Sequence, residues 1–213
     1  MSKKIPTVIT ALLGEECYIT DFVQVDNPEL ARIAIALKAW RQDPVRAVFD
    51  YICKQIKYPF NFRGKPAVER HIQVFKWWNG LYLFDEYTKY GWLTPGQTIR
   101  TGYGICIDTA CLCTSLLRIL GHNAYVCLGA MLESGTSRLL GLHAWSIVQI
   151  QDEWQLLETT VHPGPAPIIP LEVAYTGRWK ITYDEAARFN EAEYAEDPEK
   201  IKAYAKILKP DLE

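Results

Sequence analysis

Apolar residues recur at helical spacing in two segments near the N-terminus, and each segment opens with a capping residue followed by proline. Asn27 and Pro28 open the first segment, and Asp43 and Pro44 open the second. Their apolar positions are Leu30, Ile33, Ala34, Leu37 and Trp40 in the first, and Val45, Val48, Phe49, Ile52 and Ile56 in the second, before Pro59. Asn and Asp side chains accept hydrogen bonds at a helix start, and proline fits its first position. The pattern predicts two amphipathic helices within residues 27–58.

A third helix is predicted to begin at Cys106 and to end at Gly121. The stretch "CIDTACLCTSLLRIL" has apolar residues on two faces, which indicates a helix that is mostly buried. The preceding "LTPGQTIRTGYG" contains proline and several glycines and predicts a loop.

Segments of strand character follow this helix. "AYVCLGAML", "LHAWSIVQI" and "EWQLLETTV" predict three strands, and "QD" between the last two is short enough for a hairpin. "HPGPAPIIP" predicts a surface loop, "WKITY" an edge strand, and the charged tail from Asp184 a solvated helix face. Helices followed by antiparallel strands predict an α+β fold in which the helix that begins at Cys106 packs on the sheet.

The intervening stretch, residues 61–100, has no regular periodicity but is rich in aromatic residues, whose rings we expect to fill a core. We interpret it as an insertion. The predicted organisation is one domain, 1–213, with N-terminal helices in 27–58, the aromatic-rich insertion in 61–100, a core in 101–161 and a C-terminal extension in 162–213.

Composition narrows the range of partners and compartments. With 213 residues, 49% of them hydrophobic, the chain can bury a substantial core, and 23 basic against 25 acidic residues give no excess of positive charge for nucleic acid or an anionic membrane surface. No apolar run is long enough to span a membrane, and the N-terminus lacks the pattern of a signal peptide. Four of the six cysteines lie between positions 106 and 127, unlike a spread disulfide framework, so we expect a reducing, cytoplasmic location.

The clustered cysteines also raise the question of a metal. On a helix, Cys111 and Cys113 point to nearly opposite sides and cannot share one ion, so we expect no metal and no cofactor. A redox or metal sensor built on these thiols stays an alternative. It predicts stoichiometric zinc or a reversible disulfide.

Cys106 is the candidate nucleophile. A thiol at a helix start lies beside unpaired backbone N–H groups and the positive end of the helix dipole, both of which favour the thiolate. The same N–H groups can stabilise an oxyanion, and Gly102 and Gly104 would let a substrate backbone approach. The plain alternative is that Cys106 is a small buried hydrophobic residue.

His143 and Glu158 are the candidate partners of this thiol. Strand alternation places His143 on one face with Trp145, and the neighbouring strand places Glu158 on a face with Trp154 and Leu156. A carboxylate in such apolar surroundings needs a partner, and across the short turn it can orient the imidazole. Each also has a plain alternative, a hydrogen-bonded core histidine and an exposed residue at a strand end.

The stretch "GYGICIDTACLCTSLLRILGHNAYVCLGA", followed by "HAW" and "WQLLETT", resembles the core of the transglutaminase-like superfamily, which includes papain-like cysteine enzymes. The resemblance is specific from Thr101 to Thr160, weaker in "VFDYICKQIKYPF", and absent from the aromatic-rich segment and the C-terminal tail. It implies a papain-like fold with Cys106 as nucleophile, His143 as general base and acid, and Glu158 at the third position, where the family usually has Asp.

Three further polar residues lie near these motifs. Asp108 matches the family pattern G-x-C-x-D, and we expect it to cap the helix start and not to transfer protons. Asp152 lies in the predicted turn, which disfavours it as a partner of His143. Gln97, nine residues before Cys106, is a weak candidate for a second oxyanion donor.

These observations predict a cysteine-dependent acyl-transfer enzyme that acts on a peptide or protein amide. Hydrolysis by a cysteine peptidase or amidase is slightly favoured over amine transfer by a transglutaminase, because no acidic cluster that would attract an amine surrounds the motifs. The alternative from another class is a catalytically inactive binding module that keeps the fold, which the change from Asp to Glu and the insertion favour.

Overall fold

A computed structural model describes residues 8–10, 16–40, 42–58, 92–160 and 168–208 of the chain. Of the predicted insertion in 61–100, only the part from Trp92 onward lies within the described residues. Most of "HPGPAPIIP" and the last residues of the C-terminal extension also lie outside them.

The N-terminal part begins with two short strands and contains both predicted helices. Strand β1 (Val8–Thr10) pairs antiparallel with β2 (Glu16–Tyr18), and a short 3-10 helix (Ile19–Phe22) follows. The helices are α1 (Pro28–Trp40) and α2 (Pro44–Gln55). As expected, Asn27 Oδ1 accepts from the backbone N–H of Glu29 at 3.0 Å, and Asp43 Oδ1 accepts from Arg46 N at 3.0 Å. The helix predictions are confirmed.

One residue of the predicted apolar face of α1 is not in the core. Leu30, Ala34 and Leu37 are buried, but Trp40 is 76% exposed. Trp40 is the last residue of α1 and lies beyond the residues that pack in the core. Helical spacing placed Trp40 on the apolar face of α1, and the structure leaves its side chain exposed.

The segment predicted as a loop before Cys106 contains a helix, α3 (Pro95–Thr101). Thr94 and Gln97 cap it reciprocally: Thr94 Oγ1 accepts from Gln97 N at 3.4 Å, and Gln97 Oε1 accepts from Thr94 N at 2.8 Å. Gly102, with φ of 70°, ends the helix in the left-handed conformation. The loop prediction was wrong because this capping box, with proline at the first helical position, outweighs the loop-forming composition.

Helix α4 (Cys106–Ile119) is the central helix, and every residue from Ile107 to Leu117 is buried. It packs on the sheet partly through hydroxyl groups. Ser146 Oγ donates to Ala110 O at 3.0 Å, and Thr114 Oγ1 donates to Ser146 Oγ at 3.2 Å. The predicted α+β fold, with a buried helix that begins at Cys106 and packs on an antiparallel sheet, is confirmed.

The sheet is antiparallel and has the order β6-β5-β4-β3-β7-β8. Its strands are β3 (Ala124–Glu133), β4 (Arg138–Ile150), β5 (Glu153–Leu157), β6 (Ile168–Pro170), β7 (Ile181–Phe189) and β8 (Tyr194–Glu196). A short helix, α5 (Leu171–Tyr175), follows β6. Gln151 and Asp152 have φ of 48° and 67°, as the predicted two-residue hairpin between β4 and β5 requires.

Three predictions for the C-terminal part were wrong. "WKITY" leads into β7, which is an interior strand between β3 and β8 and not an edge strand. Residues Asp184–Phe189 continue β7, and the tail becomes helical only at α6 (Pro198–Leu208). Ile168–Pro170 of the predicted surface loop form the edge strand β6. The charged residues of β7 made this segment look like a solvated helix in the sequence. In the structure they pair with one another and with α6, while Tyr183, Ala187 and Phe189 are buried.

The described cysteines are separate, unpaired thiols: Cys53, Cys106, Cys111, Cys113 and Cys127. Cys111 packs with Val126 and Ala144 under the sheet, whereas Cys113 packs with α1 and α2, so the two lie in different parts of the core as predicted. Across the described residues, no three His, Cys, Asp or Glu side chains group to hold a metal ion. Within the same residues, no helix is long and apolar enough to cross a membrane.

Candidate active site

The loop that leads into Cys106 is held from two sides. Lys57, just after α2, donates its N–H to Gly102 O at 2.9 Å, and Gly104 N donates to Lys57 O at 3.2 Å. A Cβ at Gly104 would lie 2.9 Å from Asp108 Cβ and 3.1 Å from Thr98 Cγ2. Gly102 therefore allows a left-handed turn, and Gly104 allows a close contact with α4. The sequence interpretation did not identify either requirement.

Asp108 fixes the start of α4. Its side chain is fully buried, Oδ1 accepts from Leu93 N at 2.8 Å, and Oδ2 accepts from Ile105 N at 2.9 Å. These bonds join the residue before Cys106 to the segment before α3. Asp108 has the structural role that we expected.

Cys106 is the first residue of α4 and is only half-buried, unlike the thiols further along that helix. It lines a cleft of about 440 Å³ together with His143. The N-cap residue, Ile105, offers no side-chain acceptor to the first turn of α4, so the backbone N–H groups of that turn are not capped by it. The sulfur thus lies at the positive end of the helix dipole and at the wall of an open cleft.

His143 lies on β4 opposite Gly129 of β3, and Trp145 on the same strand stacks on its ring at a centroid distance of 6.3 Å. Its Nε2 lies 2.7 Å from Glu158 Oε2, which leaves Nδ1 for the Cys106 sulfur. Burial alone would lower the pKa of His143. The Glu158 charge and the hydrogen bonds to Cys106 and Glu158 outweigh burial and raise this pKa to about 10.

Glu158 directly follows β5 and is completely buried. Both carboxylate oxygens are saturated: Oε1 accepts from Thr160 N at 3.0 Å and Thr160 Oγ1 at 2.6 Å, and Oε2 contacts His143 Nε2 and accepts from Tyr183 Oη at 2.9 Å. Burial raises the pKa of Glu158, but His143 and the bonds from Thr160 outweigh it, so the pKa is lowered and the group is a carboxylate.

The structure therefore brings Cys106, His143 and Glu158 together. Asp152 lies in the turn between β4 and β5, and Gln97 lies in the cap of α3 and not among the residues that line the cleft. Sequence reasoning missed Thr160 and Tyr183. A signal was present, because a buried carboxylate requires several donors and both residues lie in segments that we had identified as strands.

Most of the cleft wall is apolar. Besides Cys106 and His143 it includes Trp92, Ile105, Leu128, Leu142, Ala186 and Ile201. The C-terminal helix α6 contributes Ile201 and Tyr204, one turn apart, on the side that faces the cleft. The prediction of a solvated helix missed this contribution, although the spacing of Ile201 and Tyr204 is that of one helix face.

A single carboxylate, Asp184 of β7, fastens α6 beside the cleft. Lys200 Nζ bonds to Asp184 Oδ1 and also donates to Glu185 O at 3.0 Å, and Tyr204 Oη donates to Asp184 Oδ2. Lys200 directly precedes Ile201, and Tyr204 lies one helical turn after it. Both contacts therefore hold the part of α6 that carries Ile201 against β7.

Residues 63–159 match the family model of the transglutaminase-like superfamily. The resemblance recognised between Thr101 and Thr160 is confirmed. The match also takes in the aromatic-rich segment, where the sequence motifs showed no resemblance. The class of chemistry that accompanies a transglutaminase-like core is that of cysteine-dependent peptidases and acyltransferases.

Among solved structures, the chain is similar to a candidate cysteine protease from Cytophaga hutchinsonii, with 16% identity over 82% of this chain and 50% of that one, at a TM-score of 0.44. It is also similar to LapG of Legionella pneumophila, with 12% identity over 85% and 95% of the two chains and a TM-score of 0.45. A protein described as a TGase has 18% identity over 65% of this chain and 32% of its own, at a TM-score of 0.41. Among curated proteins, none is significantly similar to the chain.

Proposed function

We propose that the protein is a thiol-dependent acyl-transfer enzyme that acts on peptide or protein amides through Cys106, His143 and Glu158. The observation that carries the proposal is the 2.7 Å contact between His143 Nε2 and the buried Glu158 carboxylate beside the half-buried thiol of Cys106. A buried carboxylate that orients an imidazole toward a sulfur is the arrangement that thiol acyl transfer needs.

In the first half-reaction His143 takes the thiol proton of Cys106, and the sulfur attacks the amide carbonyl carbon. A C–S bond forms while the carbonyl electron pair moves to oxygen, and first-turn N–H groups of α4 are placed to donate to that oxygen. When the tetrahedral intermediate collapses, the C–N bond breaks and the leaving amine takes a proton from the His143 imidazolium. The product is a thioester on Cys106.

In the second half-reaction His143 takes a proton from water or from an amine acceptor, which attacks the thioester carbonyl. The C–S bond then breaks, and the Cys106 sulfur regains a proton from His143. Hydrolysis is the favoured outcome of this proposal, since water needs no acceptor site. Its support is the apolar cleft wall, on which the described residues present no acidic cluster to attract an amine.

The test incubates the full chain with a panel of peptide and acyl-amide substrates and detects the thioester by mass. Cys106→Ala should abolish turnover and thioester formation, whereas Cys53→Ala, at another half-buried free thiol, should leave both intact. Turnover that survives in Cys106→Ala at the wild-type rate would overturn the proposal. A labelled primary amine in the same reaction reports transfer by its incorporation into product.

Competitive alkylation separates the enzyme from an inactive binding module of the same fold. In the enzyme, iodoacetamide at neutral pH should label Cys106 well before the other five cysteines. In the module it should show no such preference.

A further inference from the structure

We propose that the cleft beside Cys106 binds an uncharged, apolar side chain of the substrate, and that the C-terminal helix α6 forms the wall that enforces this selectivity. The proposal rests on the proposed function, because it concerns the residue whose carbonyl Cys106 attacks, or the residue next to it. Ile201 is the specificity-determining residue.

The chemistry of the wall supports an apolar occupant. Of the described residues that line the cleft, the ionisable ones are Cys106, His143 and Tyr204. His143 is engaged by Glu158, and the Tyr204 hydroxyl donates to Asp184. A charged substrate side chain would lose its water here without gaining a partner of opposite charge, which is costly, whereas an aliphatic or aromatic one would gain from burial.

Two charged residues that fasten α6, Lys200 and Asp184, neutralise one another. Lys200 immediately precedes Ile201, but its ammonium group bonds to the Asp184 carboxylate and to Glu185 O. Asp184 in turn receives Lys200 on one oxygen and Tyr204 on the other. Neither charge is left over to pair with a substrate, so the arrangement that fastens α6 adds no unpaired charge to the cleft wall.

The size and position of the cleft suit a substrate side chain. At about 440 Å³ it lies within the range of small-ligand pockets, which is roughly 300–1,000 Å³. Cys106 and His143 are themselves among the residues that line it. A side chain bound there would hold its own or its neighbour's carbonyl next to the sulfur.

The test uses dipeptide vinyl sulfones, which form a thioether with a reactive cysteine. In each probe, either the residue nearest the electrophile or the residue before it is varied among leucine, phenylalanine, aspartate and lysine. Each rate of Cys106 modification, followed by mass, is divided by the iodoacetamide rate of the same protein. The leucine and phenylalanine probes should react at least about tenfold faster than the aspartate and lysine probes, because only apolar side chains gain from the cleft.

The variant Ile201→Lys introduces a positive charge into the cleft wall. It should lower the ratio of leucine to aspartate probe rates by at least about tenfold. Ala203→Lys is the matched control, since Ala203 is an exposed residue of the same helix, and it should leave that ratio unchanged. If Ile201→Lys fails to fold, Ile201→Ala should instead raise the rate of the phenylalanine probe relative to the leucine probe.

The possible failures are distinguishable. If iodoacetamide shows no preference for Cys106, the proposed function fails. If Cys106 reacts selectively with iodoacetamide but the charged and apolar probes react equally, only the inference about the cleft fails. It also fails if every dipeptide probe reacts slowly whatever its side chain, because the cleft is then closed to substrate, or if Ala203→Lys changes the ratio as much as Ile201→Lys does.

Discussion

His143 and Glu158 meet across the hairpin of β4 and β5, with Nε2 of the imidazole 2.7 Å from Oε2 of the carboxylate. The pairing of Ser146 with Leu157 places the two side chains as diagonal neighbours on one face of the sheet. Thr160 and Tyr183 donate the remaining hydrogen bonds to the Glu158 carboxylate, and these bonds fix its orientation. Glu158 can therefore orient the ring although the family usually has the shorter Asp there.

Glu158→Gln removes the negative charge and nearly preserves shape. We expect the pKa of His143 to fall below its value of about 10, because the Glu158 charge is the largest of the contributions that raise it. Since the leaving amine takes its proton from imidazolium, the alkaline limb of turnover should move to lower pH. NMR titration of the His143 ring measures the shift, and turnover should fall roughly 10²–10⁴-fold. An unchanged His143 titration in the variant contradicts the assignment.

The same pair makes stability depend on pH. The folded-state pKa of His143 is raised, so its contribution is complete below the unfolded value of about 6.5 and is lost as pH rises through about 10. The folded-state pKa of Glu158 is lowered, so its contribution is present above about pH 4.3 and is lost as pH falls further. Urea unfolding of wild type and Glu158→Gln at pH 4, 7 and 10 should show the largest difference near neutrality. A difference that does not vary with pH would exclude this linkage.

Glu158→Asp restores the residue that the family usually has, yet we expect it to lower turnover about tenfold or more. The four bonds of the carboxylate are set for the longer side chain, and a carboxylate one methylene shorter cannot reach Thr160, Tyr183 and His143 at once. A displacement of about 1 Å at such a site is enough for a large loss of rate. Glu153→Asp is the control, because Glu153 is an exposed residue of β5, the strand that Glu158 directly follows. Equal or higher turnover in Glu158→Asp would mean that the packing around the third position is not specific for Glu.

The sequence predicted the local features of this site because each had a short-range signal. Asn27 and Asp43 predicted the starts of α1 and α2, and Cys106 began the predicted central helix. Strand alternation placed His143 on a face with Trp145 and Glu158 on a face with Leu156. Capping and strand alternation depend on only a few neighbouring residues, so the sequence predicts them without knowledge of the tertiary structure.

What the sequence did not predict depends on contacts between distant residues. The interior position of β7 follows from its pairing with β3 on one side and β8 on the other. The placement of α6 beside the cleft depends on Asp184, which bonds to Lys200. From the sequence, the charge of Asp184 indicated only a solvated surface residue. A charged residue is consistent with a solvated helix until its partner is known, so the apolar wall at Ile201 was missed.

Asp108→Ala should destabilise the start of α4. The variant leaves two N–H groups without their acceptor, that of Leu93 in a buried environment and that of Ile105 in a partly buried one. We expect a loss of about 2–4 kcal/mol in the free energy of unfolding, together with lower Cys106 reactivity toward iodoacetamide. Asp43→Ala is the comparison, because Asp43 caps α2 at the exposed surface and should cost only about 1 kcal/mol. Equal losses in the two variants would show that the bonds of Asp108 are no stronger than an ordinary cap.

Gly129→Ala should disturb both the sheet and the active site. A Cβ at Gly129 would lie 2.1 Å from Asp184 O and 3.0 Å from Trp145 Cη2, at the point where the register of β3 and β7 shifts. The backbone oxygen cannot move without displacing Asp184, which fastens α6, and Trp145 stacks on His143. We expect a loss of about 1–3 kcal/mol in the free energy of unfolding and slower modification of Cys106. Gly141→Ala is the matched control, since Gly141 lies on the neighbouring strand with no heavy atom near its would-be Cβ. Urea unfolding compares the two variants, and equal stability would contradict the close approach of β3 and β7 at Gly129.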